Sequence, residues 1–491
     1  MLTLGRYSSC RPSPRGNLGT IPSHWHVESL GRLGHLSKGR GGSKQDAAPW
    51  GVRCVRYGDL YTRYQGFIWK VTSYVEPSAA SRYTSIRRGD VLFAASGESI
   101  DEIGQSAVNL SSEAVVCSGD IVVFRPTAEI DPVFLGYACN AHPIARQKSS
   151  MGRGFTVVHV YADELKQLVL PIPPLGEQAR IGAVLTEIDH RVNRLIASKR
   201  RLIGLLEEQK QAIIHRAVTR GLDPHVRLKP SGIDWLGEVP AHWERTQLKR
   251  VSKVQTGITL GKDYRDVPTV ERPYLRVANV QSGRLKLHSV FSIRIPVTEA
   301  RAATLHDGDV LMTEGGDIDK LGRGCVWHGE IADCVHQNHV FAVRPDQQRL
   351  SPDFLVFVLA SAHGRRYFEI TAKRTTNLAS TNSTTLGAFP MLLPPLEEQS
   401  QIVEAVRTDV DATERGIVSA EREIDLLLEY RTRLVTDVVT GKLDVRDVSL
   451  PPLPDEPDAP PDPDGAEPVD DPELMDAAEA MAEAEARDAL P

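Results

Sequence analysis

Leu18-Gly19-Thr20-Ile21-Pro22-Ser23-His24-Trp25 returns 218 positions later as Leu236-Gly237-Glu238-Val239-Pro240-Ala241-His242-Trp243. This octad decides how the chain is read, because further pairs follow it in the same order. Gly89-Asp90-Val91-Leu92 returns as Gly308-Asp309-Val310-Leu311, and Arg125-Pro126 as Arg344-Pro345, both displaced by 219. Pro173-Pro174-Leu175-Gly176-Glu177-Gln178 returns as Pro394-Pro395-Leu396-Glu397-Glu398-Gln399, displaced by 221. Matches in one order at a nearly constant offset imply duplication, so the chain is expected to fold twice on one plan.

Each copy opens with a globular block. Short β-type runs, such as Asp90 to Ala94, Ile121 to Phe124 and Val340 to Val343, are set off there by Gly, Asp and Pro. Pro-Pro-Leu ends the block and a long helical segment begins, with Glu177 or Glu398 in its first turn, where a carboxylate complements the helix dipole. Apolar residues then recur at Leu185, Ile188, Val192, Leu195, Leu202, Leu206 and Ile213, with Lys199 and Gln209 at two seam positions. The second segment reads Val406, Val410, Thr413, Ile417, Ala420, Ile424, Leu427, Arg431, Leu434 and Val438. Alternating steps of three and four indicate coiled-coil packing, and helices of this length would each extend ~60 Å at 1.5 Å per residue. Residues 176–230 carry a net +5 and residues 397–446 a net −5, so the two helices are expected to pair with each other, antiparallel.

The fold class expected is therefore α+β, with a pseudo-two-fold repeat. Globular blocks span 18–175 and 236–396, and an antiparallel coiled coil of two long helices, 176–221 and 397–442, separates them. A connector covers 222–235, and an acidic, Pro-rich tail covers 447–491, where low hydrophobicity and high charge predict disorder up to about residue 472.

Composition narrows the function. Of 491 residues, 41% are hydrophobic, enough for sizeable cores. No stretch approaches the ~20 apolar residues of a membrane span. Met1 to Gly19 has no apolar signal region, so neither a membrane nor a secretory role is expected. Six cysteines without a Cys-x-x-Cys pair fit a reducing cytoplasm. The formal charge of −6 conceals a division: residues 447–491 carry −14, which leaves +8 on residues 1–446. A basic body with an acidic tail is the pattern of a nucleic-acid binder whose tail screens it from non-specific DNA.

Catalytic tools are mostly missing. Gly257-Ile-Thr-Leu-Gly261-Lys262-Asp263 is one residue short of a phosphate-binding loop and lacks the Ser/Thr that would hold Mg²⁺. There is no Gly-x-Gly-x-x-Gly, no Gly-x-Ser-x-Gly, no Asn-Pro-Pro-Tyr-type methyltransferase motif and no nuclease pattern. Cys325, Cys334, His336 and His339 contain zinc-type ligands at a spacing unlike a zinc knuckle, and no metal site is expected. The acidic pairs Glu207/Glu208 and Glu397/Glu398 read as solvated helix faces.

Polar loops offer more. Arg146, Gln147, Lys148, Ser149 and Arg153 precede the first Pro-Pro-Leu, and Lys373, Arg374, Thr375, Thr376 and Asn377 the second. Arg and Lys suit guanine edges and phosphates, Asn and Gln suit adenine, and hydroxyls suit backbone oxygens. These residues, with Gln337, Asn338 and Arg276, are the DNA-binding candidates. Arg56 with Tyr57 and Asp59, and Asn279 beside Arg276, are weaker ones.

In these features the chain resembles the specificity subunits of type I restriction–modification systems, the HsdS family. The resemblance rests on the repeated Leu-Gly-x-[Ile/Val]-Pro-x-His-Trp, Gly-Asp-Val-Leu and Pro-Pro-Leu-x-Glu-Gln. It rests also on the Val-Thr-x-x-Leu-Asp segments 218–223 and 439–444 that close each copy. It covers residues 18–446. It implies that each block is a target-recognition domain reading half of a bipartite, asymmetric double-stranded DNA target, with the helix pair as ruler. The chain would then be non-catalytic and bind no cofactor. It would recruit two methyltransferase (modification) subunits, which carry S-adenosylmethionine, and optionally restriction/translocase subunits, which use ATP and Mg²⁺. Pro174, Glu177, Gln178, Pro395, Glu398 and Gln399 would lie at the partner-binding surface. The octad's lead-in, Ser231-Gly-Ile-Asp-Trp235, departs from the pattern: copy one has Pro14-Arg-Gly-Asn17, and Trp235 has no counterpart. The alternatives are a DNA-independent scaffolding protein or a self-contained nuclease or methyltransferase.

Overall fold

A computed structural model describes residues 5–15, 18–64, 66–154, 157–261, 264, 267–281, 283–316, 321–322, 324–374 and 379–449. The tail from residue 450 onward, and Thr375, Thr376, Asn377, Lys262 and Asp263, lie outside the described residues. The structure is a mixture of helix and sheet. By contact it divides into two units, Met1–Lys199 with Arg422–Pro491, and Arg200–Glu421. The division does not follow chain order, because each long helix gives one half to each unit.

In the first unit, one sheet orders Gly34–Lys38, Ile121–Pro126, Val91–Ala94, Ser106–Asn109 and Phe67–Ile68. A second orders Ala47–Ala48, Tyr74–Val75, Val52–Val55, Val115–Cys117 and Thr84–Ile86. Val91-Leu92-Phe93-Ala94 is apolar throughout because both its faces are buried. Val91 and Phe93 enter one core, and Leu92 and Ala94 another.

The second unit has a sheet ordered Ser252–Thr256, Val340–Pro345, Val310–Thr313 and Gly324–Val326. A second sheet there orders Phe291–Pro296, Thr269–Leu275 and Val335–His336. Val310 and Met312 again serve one core and Leu311 another.

The repeated Gly-Asp and Arg-Pro pairs meet each other. Gly89 turns the chain at φ +90°, and buried Asp90 accepts the Arg87 N–H at 2.8 Å and the Arg125 guanidinium at 3.0 and 2.6 Å. Gly308 turns at φ +86°, and buried Asp309 accepts the His306 N–H at 2.8 Å and both arms of Arg344 at 2.7 Å. A carboxylate bound by a planar fork fastens the turn to the neighbouring strand in each unit.

The long helices are Leu175–Arg220 and Leu396–Val439. In the first unit, Asp189 accepts Arg431 at 2.8 and 3.0 Å and the Tyr137 hydroxyl at 2.8 Å, while Lys199 pairs with Glu423 at 2.7 Å. Numbers rise along one helix as they fall along the other, so the halves run antiparallel. In the second unit Lys210 pairs with Glu414 at 2.7 Å, and Leu206 lies beside Gly416. Opposite charges meet in both units.

The first seam needs a correction. Leu195 and Leu202 are 51% and 41% exposed, and the buried line runs through Val192 and Ile196 to half-buried Lys199, which pairs with Glu423. A straight helix drifts ~20° per heptad against a strict 3.5 repeat, so a four-residue step from Val192 restores the inward face.

Candidate nucleic-acid interface

The long helices begin with a carboxylate that closes each globular block. Glu177, buried in the first turn, receives the Trp25 indole N–H at 3.1 Å, His24 Nε2 at 2.9 Å and the Tyr7 hydroxyl. Burial and this bond to Glu177 push the Tyr7 phenol well above its ordinary range. Glu398 receives the Trp243 indole at 3.0 Å and His242 Nε2 at 2.7 Å. The octad and the Pro-Pro-Leu motif thus form one structural joint in each unit. In the first unit the turn that follows the other helix abuts it: Gly441, at φ +73°, touches Pro22 so closely that a Cβ would lie 2.2 Å from the ring.

The neighbouring glutamine has an equally fixed task. Gln178 accepts the Asp131 N–H at 2.9 Å and donates to the Pro173 carbonyl at 2.9 Å. Gln399 accepts the Ser351 N–H at 2.8 Å and donates to the Arg349 and Pro394 carbonyls at 2.8 Å. Asp131 and Ser351 are themselves the N-caps of helices Pro132–Asn140 and Pro352–Ala360, each with Pro in its first turn. Glu177, Gln178 and Gln399 are buried and Glu398 is half-buried with its carboxylate engaged. The expectation that these four form a docking surface is therefore corrected: their polar atoms are consumed inside the fold. Pro174 and Pro395 stay exposed.

The first polar loop is also not a loop. Residues 146–149 lie in helix His142–Met151. Gln147 donates to and accepts from the Val169 backbone at 3.1 and 2.9 Å, and Ser149 donates to Ala145 at 3.1 Å. Lys148 is buried, with its ammonium donating to the Gly104 carbonyl at 2.6 Å. Burial pulls its pKa down to about 8. Gln147 and Lys148 are thus withdrawn from DNA, and Ser149 is turned to its own helix. Arg146 remains exposed.

Arg153 leads to a surface ribbon. Its backbone bridges His159, and strand Val158–His159 pairs with Ser96–Gly97, where Ser96 Oγ lies 3.0 Å from His159 Nδ1. The Arg153 side chain is 73% exposed and pairs with Glu164 at 2.9 Å. In the second unit, strand Lys373–Arg374 pairs with Ala379–Ser380, which pairs with Gly315–Gly316. Lys373 stands opposite Ser380 as Arg153 stands opposite His159. Lys373 and Arg374 are exposed. The ladder is shared, but the side chains on it are not.

Arg276, Gln337 and Asn338 come together elsewhere in the second unit. Arg276 follows strand Thr269–Leu275, whose end pairs in parallel with Val335–His336. Gln337 accepts the Val277 N–H at 3.3 Å, and the Arg276 guanidinium lies 3.7 Å from the ring centre of Phe291. Phe291 escaped the sequence reading, since an isolated aromatic in a polar segment carries no motif.

The zinc-type residues are spent separately. Burial pushes the Cys325 and Cys334 thiols up to about 12. Buried His336 donates to the Val340 carbonyl at 2.7 Å, and His339 pairs with Glu314 at 2.6 Å. Among the described residues no group of three or more His, Cys, Asp or Glu is placed to hold a metal ion. Gly257 lies against the His336 carbonyl so tightly that a Cβ would stand 2.0 Å from it, so the loop glycine there serves a close backbone approach.

Residues 22–203 match the type I restriction modification DNA specificity domain. The chain is 26% identical over 207 residues to the putative type I restriction enzyme MjaX specificity subunit of Methanocaldococcus jannaschii; that match covers 42% of this chain and only about half (47%) of the relative. It is 22% identical over 442 residues to the MjaVIII specificity subunit of the same organism, covering 87% of this chain and 95% of the relative. In fold it resembles a chain solved in work on complex assembly and conformational transition of the type I R-M system, at TM-score 0.63 and 20% identity, covering 86% of this chain and 99% of that one. No helix among the described residues is long and apolar enough to cross a membrane. By its domain match over residues 22–203 and its resemblance to relatives along most of its length, the chain is similar to the specificity subunits of type I restriction–modification systems.

Proposed function

We propose that this chain is the DNA-reading subunit of a type I restriction–modification complex, in which each globular unit reads one half of a bipartite, asymmetric double-stranded target. One observation carries the reading. The two units repeat their buried joints, Asp90–Arg125 with Asp309–Arg344 and Trp25–Glu177 with Trp243–Glu398. Yet on the matching ribbons they carry different side chains, exposed Arg153 opposite half-buried His159 in one unit and exposed Lys373 opposite half-buried Ser380 in the other. A common frame with dissimilar surfaces suits two different half-sites.

In this reading the fold is two tandem target-recognition domains joined by an antiparallel coiled coil. The helix pair sets the unspecified gap, which for half-sites one turn apart is ~34–36 Å. Arg146, Arg153, Lys373 and Arg374 approach the duplex; Thr375, Thr376 and Asn377, which follow in the chain, lie outside the described residues. Phosphate contacts from such residues make affinity fall with salt. The chain directs chemistry without performing it. Two methyltransferase subunits bring S-adenosylmethionine to an adenine in each half, and restriction subunits, where present, use ATP and Mg²⁺. The complex works in the cytoplasm, where the DNA is.

The test is to map methylated adenines in the source genome with and without this gene. A bipartite asymmetric motif that loses methylation on deletion is the expected result. An unchanged methylation map contradicts the reading.

A further inference from the structure

Arg276 differs from the arginines that fasten the frame in how its charge is held. Its backbone is pinned, because its N–H donates to Asn279 Oδ1 at 2.8 Å and Asn279 in turn donates to the Lys286 and Ser289 carbonyls at 2.8 and 3.0 Å. Its guanidinium lies 3.7 Å from the ring centre of Phe291, a residue 49% exposed. Among the described residues no carboxylate or carbonyl accepts from it, and its Nε is buried without a partner. By contrast, Arg125, Arg344 and Arg431 each spend their donors on a carboxylate.

An aromatic face fixes the plane of a guanidinium without using any of its five N–H donors. Such a group is preorganised for a planar partner with two acceptors side by side, and the guanine edge, with O6 and N7, is that partner in duplex DNA. A phosphate needs no such plane. Gln337, held by its carbonyl oxygen on the Val277 N–H, stands beside it. The first unit repeats the backbone site: Arg56 follows strand Val52–Val55, paired in parallel with Val115–Cys117, and its N–H donates to Asp59 Oδ2 at 2.9 Å. No aromatic ring lies under the Arg56 guanidinium among the described residues.

We infer that Arg276, oriented by Phe291, is a specificity-determining residue of the second unit that reads a guanine. The inference rests on the proposal that this unit meets DNA.

The experiment uses the full chain assembled with its methyltransferase subunits. Probes are the duplex carrying the mapped target and duplexes with each base pair of the half-site read by the second unit replaced in turn. Arg276→Ala and Arg276→Lys should each abolish the preference at one G·C pair, a loss of roughly tenfold or more in discrimination, with preference elsewhere intact. Phe291→Ala should weaken the same preference, and Phe291→Tyr, which keeps the ring, should restore it. Thermal melting confirms that each variant is folded. A uniform loss on all duplexes with a salt slope lower by about one would mark a phosphate contact and overturn the inference, as would an unchanged preference profile. If the wild-type assembly prefers no duplex, the proposed DNA reading fails and takes this inference with it.

Discussion

The two units close on their long helices with the same side chains but not with the same number of them. Glu177 gathers Tyr7, His24 and Trp25, whereas among the described residues Glu398 gathers His242 and Trp243 alone. The extra donor comes from outside the repeated octad: the position matching Tyr7 is His225, whose backbone N–H turns to Asp223. The same division recurs across the molecule. The Asp–Arg and Trp–Glu joints are duplicated, whereas the Asp189–Arg431 pair and the side chains of the ribbons are not. Duplication has preserved the frame and left the surfaces free to diverge.

That contrast can be strained from three directions. The largest effect is expected at the duplicated carboxylates. Asp90→Ala and Asp309→Ala each remove a buried carboxylate that holds three hydrogen bonds and should cost about 3 kcal/mol, the partly exposed arginine left behind being solvated. Hydrogen exchange should place the loss in the unit that carries the substitution. Protection lost equally in both units would contradict the division into two frames.

A smaller effect separates the unequal joints. Trp243→Phe removes one of two donors from Glu398, and Trp25→Phe one of three from Glu177. A hydrogen bond to a charged group contributes about 1.5–3 kcal/mol, so both should destabilise within that range, Trp243→Phe the more. Chemical denaturation checks the order; an equal or reversed loss would mean that Tyr7 adds nothing.

The smallest effect is a slope. Lys148 is held with a pKa of about 8, below its ordinary 10.5, because burial disfavours its charge. The unfolded chain therefore binds more protons between these values. Stability of the first unit should rise as pH climbs from about 8 towards 10.5, and this increment is lost again on return to pH 8. Comparing Lys148→Met with the parent across that window isolates the contribution, since the variant should lack this part of the rise. Parallel curves would show that the ammonium is not desolvated.

Much of the frame was legible in the sequence because duplication printed it twice. The helices begin at Leu175 and Leu396, at the Pro-Pro-Leu motifs, and nine of ten residues of the second seam are apolar or small where the contacts require it. The charged exception, Arg431, meets Asp189. What escaped depends on partners distant in sequence. Lys148 looks like a surface cation until the Gly104 carbonyl is brought to it, and Gln147 looks free until Val169 is. The polar run 146–151 hides a helix because tertiary contacts, not periodicity, hold it. Glu177 and Gln178 were legible as important but not as internal, since a repeated polar residue can serve a joint or a partner equally well. Leu195 and Leu202 were drawn into the seam by a strict heptad that the helix does not keep.

The central claim, that each unit reads its own half of the target, is tested most directly by exchange. Residues 18–172 are replaced with the corresponding block of another specificity subunit, and methylated adenines are mapped for the assembled complex. One half of the recognised sequence should change while the other half and the gap stay as they were. A change in both halves, or in neither, would contradict the account.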